Sequence, residues 1–186
     1  MTGIFIAVVG RSGVGKDSIL EGAKTRLDAS KFYFPQRFIT RPAEAGGENH
    51  IFLTPEDFRL RRKESGFALH WEAHGLCYGL GEDVTGKVEQ GLHVIANISR
   101  TKISEASLKF NFLRIIEITA SPESIADRLS NRDRETEIQQ QSRRRRQLKA
   151  DWSEGLPVTR VNNDGLLSVA IDKFVAVVNE DFVVTE

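Results

Sequence analysis

The apolar run Ile4–Val9, followed by Gly10-Arg11-Ser12-Gly13-Val14-Gly15-Lys16-Asp17, constrains the fold of this chain more than any other stretch. It matches the G-x-x-x-x-G-K pattern of a phosphate loop, placed directly after an apolar strand candidate and opening a helix. Small residues let such a loop curl until backbone N–H groups converge on phosphate oxygens. The helix N-terminus adds partial positive charge at the same point. Lys16 brings a full charge suited to the β and γ phosphates. The loop therefore reads as an ATP site formed by Gly10, Arg11, Ser12, Gly13, Val14, Gly15, Lys16, Asp17 and Ser18. Its eighth position is Asp17 where Ser or Thr is usual. A carboxylate next to polyphosphate needs a cation between them, and Asp is a good oxygen ligand for Mg²⁺. Asp17 is thus a candidate Mg²⁺ ligand; the competing reading is that it merely favours the helix N-terminus. Ser18 cannot take its place, because the next helical position points about 100° away.

Beyond the loop, strands and helices alternate, which predicts an α/β domain with a mainly parallel sheet flanked by helices. Gly3–Val9 reads as a buried strand and Lys16–Asp28 as a helix. Short strands are expected at Phe38–Ile39 and Ile51–Leu53, around the turn-rich Pro42–Glu48. Pro55–Ser65 reads as a charged helix with Phe58 inward. His93–Ile98 and Leu113–Thr119 are further strands. Pro122 suits the first turn of a helix reaching Asn131. Ile138–Ala150 reads as a very basic helix, Val158–Val161 as a last strand, and Leu166–Val178 as a helix with an apolar face.

Composition narrows the remaining classes. The 186 residues suit one domain. No apolar run approaches the roughly 20 residues of a membrane-spanning helix. The N-terminal run lacks a basic flank, so a signal peptide is not expected and a cytoplasmic location is. A single cysteine, Cys77, leaves no intrachain disulfide and reads as a buried small hydrophobe. The 26 basic and 26 acidic residues cancel, which argues against a general nucleic-acid binder. The cancellation is uneven along the chain. Arg128–Lys149 holds 8 basic and 3 acidic residues, and 150–186 holds 2 basic and 7 acidic.

A phosphate loop alone leaves many chemistries open. The next segments are Arg37-Phe38-Ile39-Thr40-Arg41-Pro42, Gly46-Gly47-Glu48-Asn49-His50-Ile51-Phe52-Leu53, and Gly66-Phe67-Ala68-Leu69-His70-Trp71-Glu72-Ala73-His74-Gly75-Leu76-Cys77-Tyr78-Gly79. This succession resembles the guanylate kinase superfamily over nearly the whole chain. Within it the residues look most like the ribose 1,5-bisphosphate phosphokinases. The resemblance implies a core (1–34, 80–127 and 150–186), an acceptor-binding lobe (35–79) and a helical lid (128–149). It also implies ATP- and Mg²⁺-dependent phosphorylation of ribose 1,5-bisphosphate to 5-phosphoribosyl 1-diphosphate, in phosphonate catabolism. The partner is then a small sugar bisphosphate, with no nucleic acid and no membrane. A guanylate kinase acting on GMP and a non-catalytic guanylate-kinase-like binding module are the alternatives.

Departures from guanylate kinases bear on the acceptor. Those enzymes place Ser or Thr after Tyr-Gly, where it helps read guanine; here Leu80 cannot hydrogen-bond a base edge. Their Asp near the end of the central strand is Asn97, and Ala43-Glu44 stand where a second arginine usually follows. Arg37 occupies the place of a Ser and is expected to restore the missing charge. Arg41 is the leading ligand for the acceptor phosphate, since guanidinium binds phosphate bidentately, with Arg37 and Tyr78 as helpers. Glu48, His50, Glu72 and His74 are expected near ribose hydroxyls, and Phe67 and Trp71 in walls or core. By the same resemblance Arg132 and Arg143 are lid arginines stabilising the transferring group, with Arg134 and Arg146 next. The loop Val161-Asn162-Asn163-Asp164-Gly165 would border adenine through Asn163; an Asn/Asp/Gly turn and helix cap explains the same residues without a ligand.

Overall fold

Five consecutive apolar residues, Phe5–Val9, form strand β1, and each is fully buried. Strand side chains alternate between faces, so such a run needs cover on both sides. The computed structural model describes residues 2–43, 48–130 and 156–180 and supplies that cover. Phe5, Ala7 and Val9 enter one apolar cluster, and Ile6 and Val8 enter another.

The remaining strands are β2 (Phe32–Tyr33), β3 (Arg37–Ile39), β4 (Ile51–Phe52), β5 (Phe67–Ala73), β6 (Leu76–Gly81), β7 (His93–Asn97), β8 (Leu113–Thr119) and β9 (Val158–Asn162). The helices are α1 (Lys16–Lys24), α2 (Pro55–Lys63), α3 (Asp83–Glu89), α4 (Ile103–Lys109), α5 (Pro122–Ser130) and α6 (Leu167–Glu180). Five strands form a wholly parallel sheet in the order β2-β7-β1-β8-β9. Val84 and Val88 of α3 and Ile103 and Ala106 of α4 pack on the face that carries Phe5, where Phe5 stacks on Phe110 at 4.2 Å. Ile19 and Ala23 of α1 and Phe174 and Val178 of α6 cover the other face. Among the described residues no helix is long and apolar enough to cross a membrane.

A second sheet, in the order β4-β3-β6-β5, joins the first cluster through Leu69, Trp71 and Leu80. Cross-strand partners share a face. The pairs Arg37–Leu80, Leu69–Leu80, Ile39–Tyr78 and Trp71–Tyr78 therefore lie on the core side, and Phe38–Gly79, His70–Gly79 and Glu72–Cys77 on the other. This small sheet runs from Arg37 to Gly81.

Several boundaries differ from the sequence reading. Helix α1 ends at Lys24 rather than Asp28, because Arg26 N and Leu27 N both bond back to Ala23 O at 3.0 Å and tighten the chain. The hairpin β5–β6, the strand β2 and the seven-residue helices α3 and α4 were not expected. Strand β2 and helices α3 and α4 are too short to establish a period, and in β5 the irregularity between Phe67 and Leu69 breaks the alternation. The basic helix expected at 138–150 lies outside the described residues. Cys77 is half-buried rather than buried, on the outer face of the small sheet opposite Glu72.

Helix α6 is fixed by Phe174, fully buried against β1 and α1. Phe174→Ala is expected to cost about 3–5 kcal/mol, the range for emptying an aromatic core site, as a shift of the urea midpoint at unchanged slope.

Candidate active site

The loop after β1 holds the backbone shapes that its glycines allow. Gly10, Gly13 and Gly15 have φ of 151°, 87° and 88°. A Cβ at Gly10 would lie 2.4 Å from the Ile118 carbonyl oxygen, and one at Gly15 would lie 2.5 Å from Asn163 Nδ2. The loop is therefore a tight cradle at the carboxyl end of the central strand, where open parallel sheets bind ligands. Lys16 Nζ turns into it and donates to Gly10 O at 2.9 Å and Arg11 O at 3.1 Å. Val14 is buried in the core, Ser12 is half-buried and Ser18 is exposed on α1. Arg11 Nε is buried without a hydrogen-bond partner among the described residues, and nothing in the structure explains an Arg there.

Asn163 corrects an expectation. It is 2% exposed and does not line an open adenine site. Its Nδ2 donates to Val14 O at 2.8 Å, so it braces the loop from behind. Arg128, near the end of α5, joins it: Nη2 donates to Asn163 O at 2.5 Å and Nη1 to Val14 O at 3.4 Å. No local pattern in the sequence signals a contact between positions 14, 128 and 163. Asp164 closes the turn that the sequence allowed: its N–H donates to Asn162 Oδ1 at 3.1 Å, and its carboxylate accepts from Ser121 N at 2.5 Å and from Asn162 Nδ2 at 2.7 Å. These hydrogen bonds hold its carboxyl well below the usual carboxylate range.

Asp17, at the start of α1, accepts from Asn97 Nδ2 at 2.6 Å and from Arg37 Nη2 at 3.4 Å, both at Oδ1. Among the described residues Oδ2 has no such partner, and no cluster of three or more His, Cys, Asp or Glu could cage a metal. Mg²⁺ seldom needs a cage: it keeps waters and takes one or two carboxylates beside the phosphates of a nucleotide. The donor set is compatible with that mode, in which Asp17 would be the protein ligand.

Arg37 also departs from expectation. It is 8% exposed, and its guanidinium holds both oxygens of Glu48, Nε to Oε2 at 2.7 Å and Nη2 to Oε1. Its guanidinium is engaged by protein carboxylates, Asp17 as well as Glu48. Arg41 remains the candidate phosphate ligand. Its side chain is a quarter exposed, Nη2 lies 3.9 Å from Glu48 Oε1, and Nε has no hydrogen-bond partner among the described residues. His50 turns to the backbone instead of a sugar, with Nε2 2.8 Å from Arg41 O and Nδ1 2.9 Å from Glu48 O. Tyr78 stacks on buried Trp71 at 5.7 Å, under the Arg37 guanidinium.

Two expected members fall elsewhere. Glu72 is exposed on the sheet face opposite Tyr78 and Arg37. His74 sits with Gly75 in the β5–β6 turn, at φ 55° and 73°, the shape of a two-residue hairpin connection. The structure thus brings together Arg37, Arg41, Glu48, His50 and Tyr78, without Glu72 or His74. Arg132, Arg134, Arg143 and Arg146 lie outside the described residues.

The ribose 1,5-bisphosphate phosphokinase PhnN of Thiobacillus denitrificans is 38% identical over 93% of this chain and 91% of its own length. The chain belongs to the PhnN family of ribose 1,5-bisphosphate phosphokinases. Other members are longer. The chain spans 42% of the PhnN of Laribacter hongkongensis, at 42% identity. It spans 25% of the bifunctional ribose 1,5-bisphosphokinase-thymidine phosphorylase of Azorhizobium caulinodans, at 41% identity. No family model matches the chain. A guanylate kinase structure from Anaplasma phagocytophilum shares the fold, with TM-score 0.69 at 15% identity over 97% of this chain and 86% of that one.

In this PhnN-family chain Leu80, the position that departs from guanylate kinases, is fully buried opposite Arg37 and Leu69. A second departure, Asn97, donates its Nδ2 to Asp17.

Burial lowers Lys16 to about 8, against the opposing pull of Asp17. A lysine depressed from 10.5 to about 8 binds more protons unfolded than folded between those values, so stability rises with pH across that window. At neutral pH its charge costs on the order of 3 kcal/mol. Lys16→Met is expected to melt no lower than the unaltered chain at pH 7 while losing about 10²-fold or more in turnover. Nucleotide affinity of the unaltered chain is expected to fall as pH rises through about 8 and Lys16 sheds its proton, measured by calorimetry from pH 7 to 9.5.

Proposed function

We propose that the chain transfers the γ-phosphoryl group of ATP to the 1-phosphate of ribose 1,5-bisphosphate, yielding ADP and 5-phosphoribosyl 1-diphosphate. The reading rests above all on one juxtaposition. A phosphate cradle faces a lobe that offers Arg41 to an anion, while the positions that would read a base hold buried Leu80 and engaged Asn97. The names of the relatives support the same acceptor.

An oxygen of the acceptor 1-phosphate attacks the γ-phosphorus in line. The bond from that phosphorus to the bridging oxygen breaks, and ADP leaves with the electron pair. The attacking oxygen is already anionic, so no side chain has to remove a proton. Catalysis is then positioning and charge stabilisation. Lys16 leaves the carbonyls of Gly10 and Arg11 for the β and γ oxygens. Arg41 anchors an acceptor phosphate through its guanidinium fork. Mg²⁺, when bound at Asp17, would neutralise charge shared by the β and γ phosphates. Arg132 and Arg143 are proposed to close over the transferring group, which excludes water and suppresses ATP hydrolysis. We place the reaction in the cytoplasm, where ATP is available, and in phosphonate catabolism.

A coupled assay for ADP release, with ribose 1,5-bisphosphate and GMP offered in parallel, tests the reading. Turnover is expected with the sugar bisphosphate, at least about 10²-fold above GMP in kcat/KM, the discrimination expected when no group pairs with the base. Comparable or faster turnover with GMP would overturn it. Arg41→Ala is expected to raise the acceptor KM about tenfold or more while the KM for ATP stays near its original value, consistent with loss of a charge-assisted contact.

A further inference from the structure

We infer that Arg37 is a positioning residue that sets both halves of the transfer site from one buried guanidinium, a role that rests on the reading proposed above. Arginine carries five N–H donors in a rigid fork. Here Nε and Nη2 hold the two oxygens of Glu48, Nη1 faces Asn97 O at 3.4 Å, and Nη2 also faces Asp17 Oδ1 at 3.4 Å. The side chain is nine-tenths buried, on the core side of the small sheet, 5.4 Å above the Tyr78 ring. Turning it toward an incoming phosphate would strip two carboxylates of their counter-ion in a partly dehydrated site, which is costly.

What the guanidinium spans is more informative than what it lacks. One arm reaches from β3 of the small sheet to Asp17 on α1, the donor side. The other holds Glu48, whose Oε1 lies 3.9 Å from Arg41 Nη2, the acceptor side. On the donor side Asn97, at the end of β7, grips the same Asp17 oxygen at 2.6 Å. With Oδ1 held from two directions the rotamer of Asp17 is set, and Oδ2 is the oxygen presented to a divalent ion. On the acceptor side both Glu48 oxygens are taken by Arg37, which limits how strongly Glu48 draws Arg41 away from a phosphate. Arg37 thus orients a carboxylate for the metal and, through Glu48, a cation for the acceptor. Such supporting contacts around metal ligands are typically worth 10–100-fold.

Three variants separate this role from its rivals, each checked first for an unchanged melting temperature. Calorimetry with ADP alone and with Mg²⁺–ADP gives the preference for the metal complex, and steady-state assays give the acceptor KM. Arg37→Lys keeps the charge but loses the fork. It is expected to lower the Mg²⁺–ADP preference about tenfold and to raise the acceptor KM about tenfold, with ADP alone bound as before. Asn97→Ala leaves Arg37 in place and removes only the second grip on Asp17 Oδ1, and is expected to move the metal preference alone. Glu48→Gln cuts only the acceptor arm and is expected to move the acceptor KM alone. These two keep the inference testable where Arg37→Lys does not fold. If Arg37→Lys changes the acceptor KM alone, Arg37 is a direct acceptor ligand and the inference fails. A uniform loss in all three variants makes the network merely structural and also overturns it. Failure of the unaltered chain to bind ADP overturns the kinase reading itself; normal Mg²⁺–ADP preference that none of the variants disturbs overturns this role only.

Discussion

Complete burial of β1 is the constraint on which the rest depends. A strand that is apolar on both faces needs a layer on each, and it receives α3 and α4 on one side and α1 and α6 on the other. Parallel neighbours β7 and β8 satisfy its backbone along both edges. All five strands of this sheet then end at the same edge, and the loops that leave them gather there. The glycine loop follows β1, Asn97 closes β7, Ser121 follows β8, and Asn163 and Asp164 follow β9. The site is built where a rigid, dry sheet meets solvent, which allows a loop with three positive-φ glycines to keep one shape.

That shape is held from behind as well as from below. Val14 contributes its side chain to the core and its carbonyl to Asn163 and Arg128. The loop is thereby tied to both β9 and α5, the helix that leads toward the arginine-rich segment.

The small sheet follows a different physical logic. The small sheet presents its apolar face to the core, and Arg37 lies on that face among Ile39, Leu69, Trp71 and Leu80. A charge there needs opposite charge within reach. Glu48 and Asp17 provide it, one from each side of the cleft. Balancing a buried arginine and joining two sheets are the same set of contacts.

Much of this was legible in the residues. The phosphate loop, the parallel α/β order, the strand Leu113–Thr119 and the inward Phe58 all follow from periodicity, glycine placement and apolar runs, which are local properties. The resemblance of the 37–79 segment to a family of sugar-phosphate kinases is borne out by the relatives. Strand parity, by contrast, moved Glu72 to the far face, a hairpin turn claimed His74, and Asn163 went to the back of the loop. Arg37, named as a phosphate helper, became the centre of an ion-pair network. Chain order determined which backbone could bind phosphate, because that depends on conformations a few residues long. Which side chains remain free to meet a substrate was decided only in the tertiary structure, since it depends on which partners distant strands bring within hydrogen-bond reach.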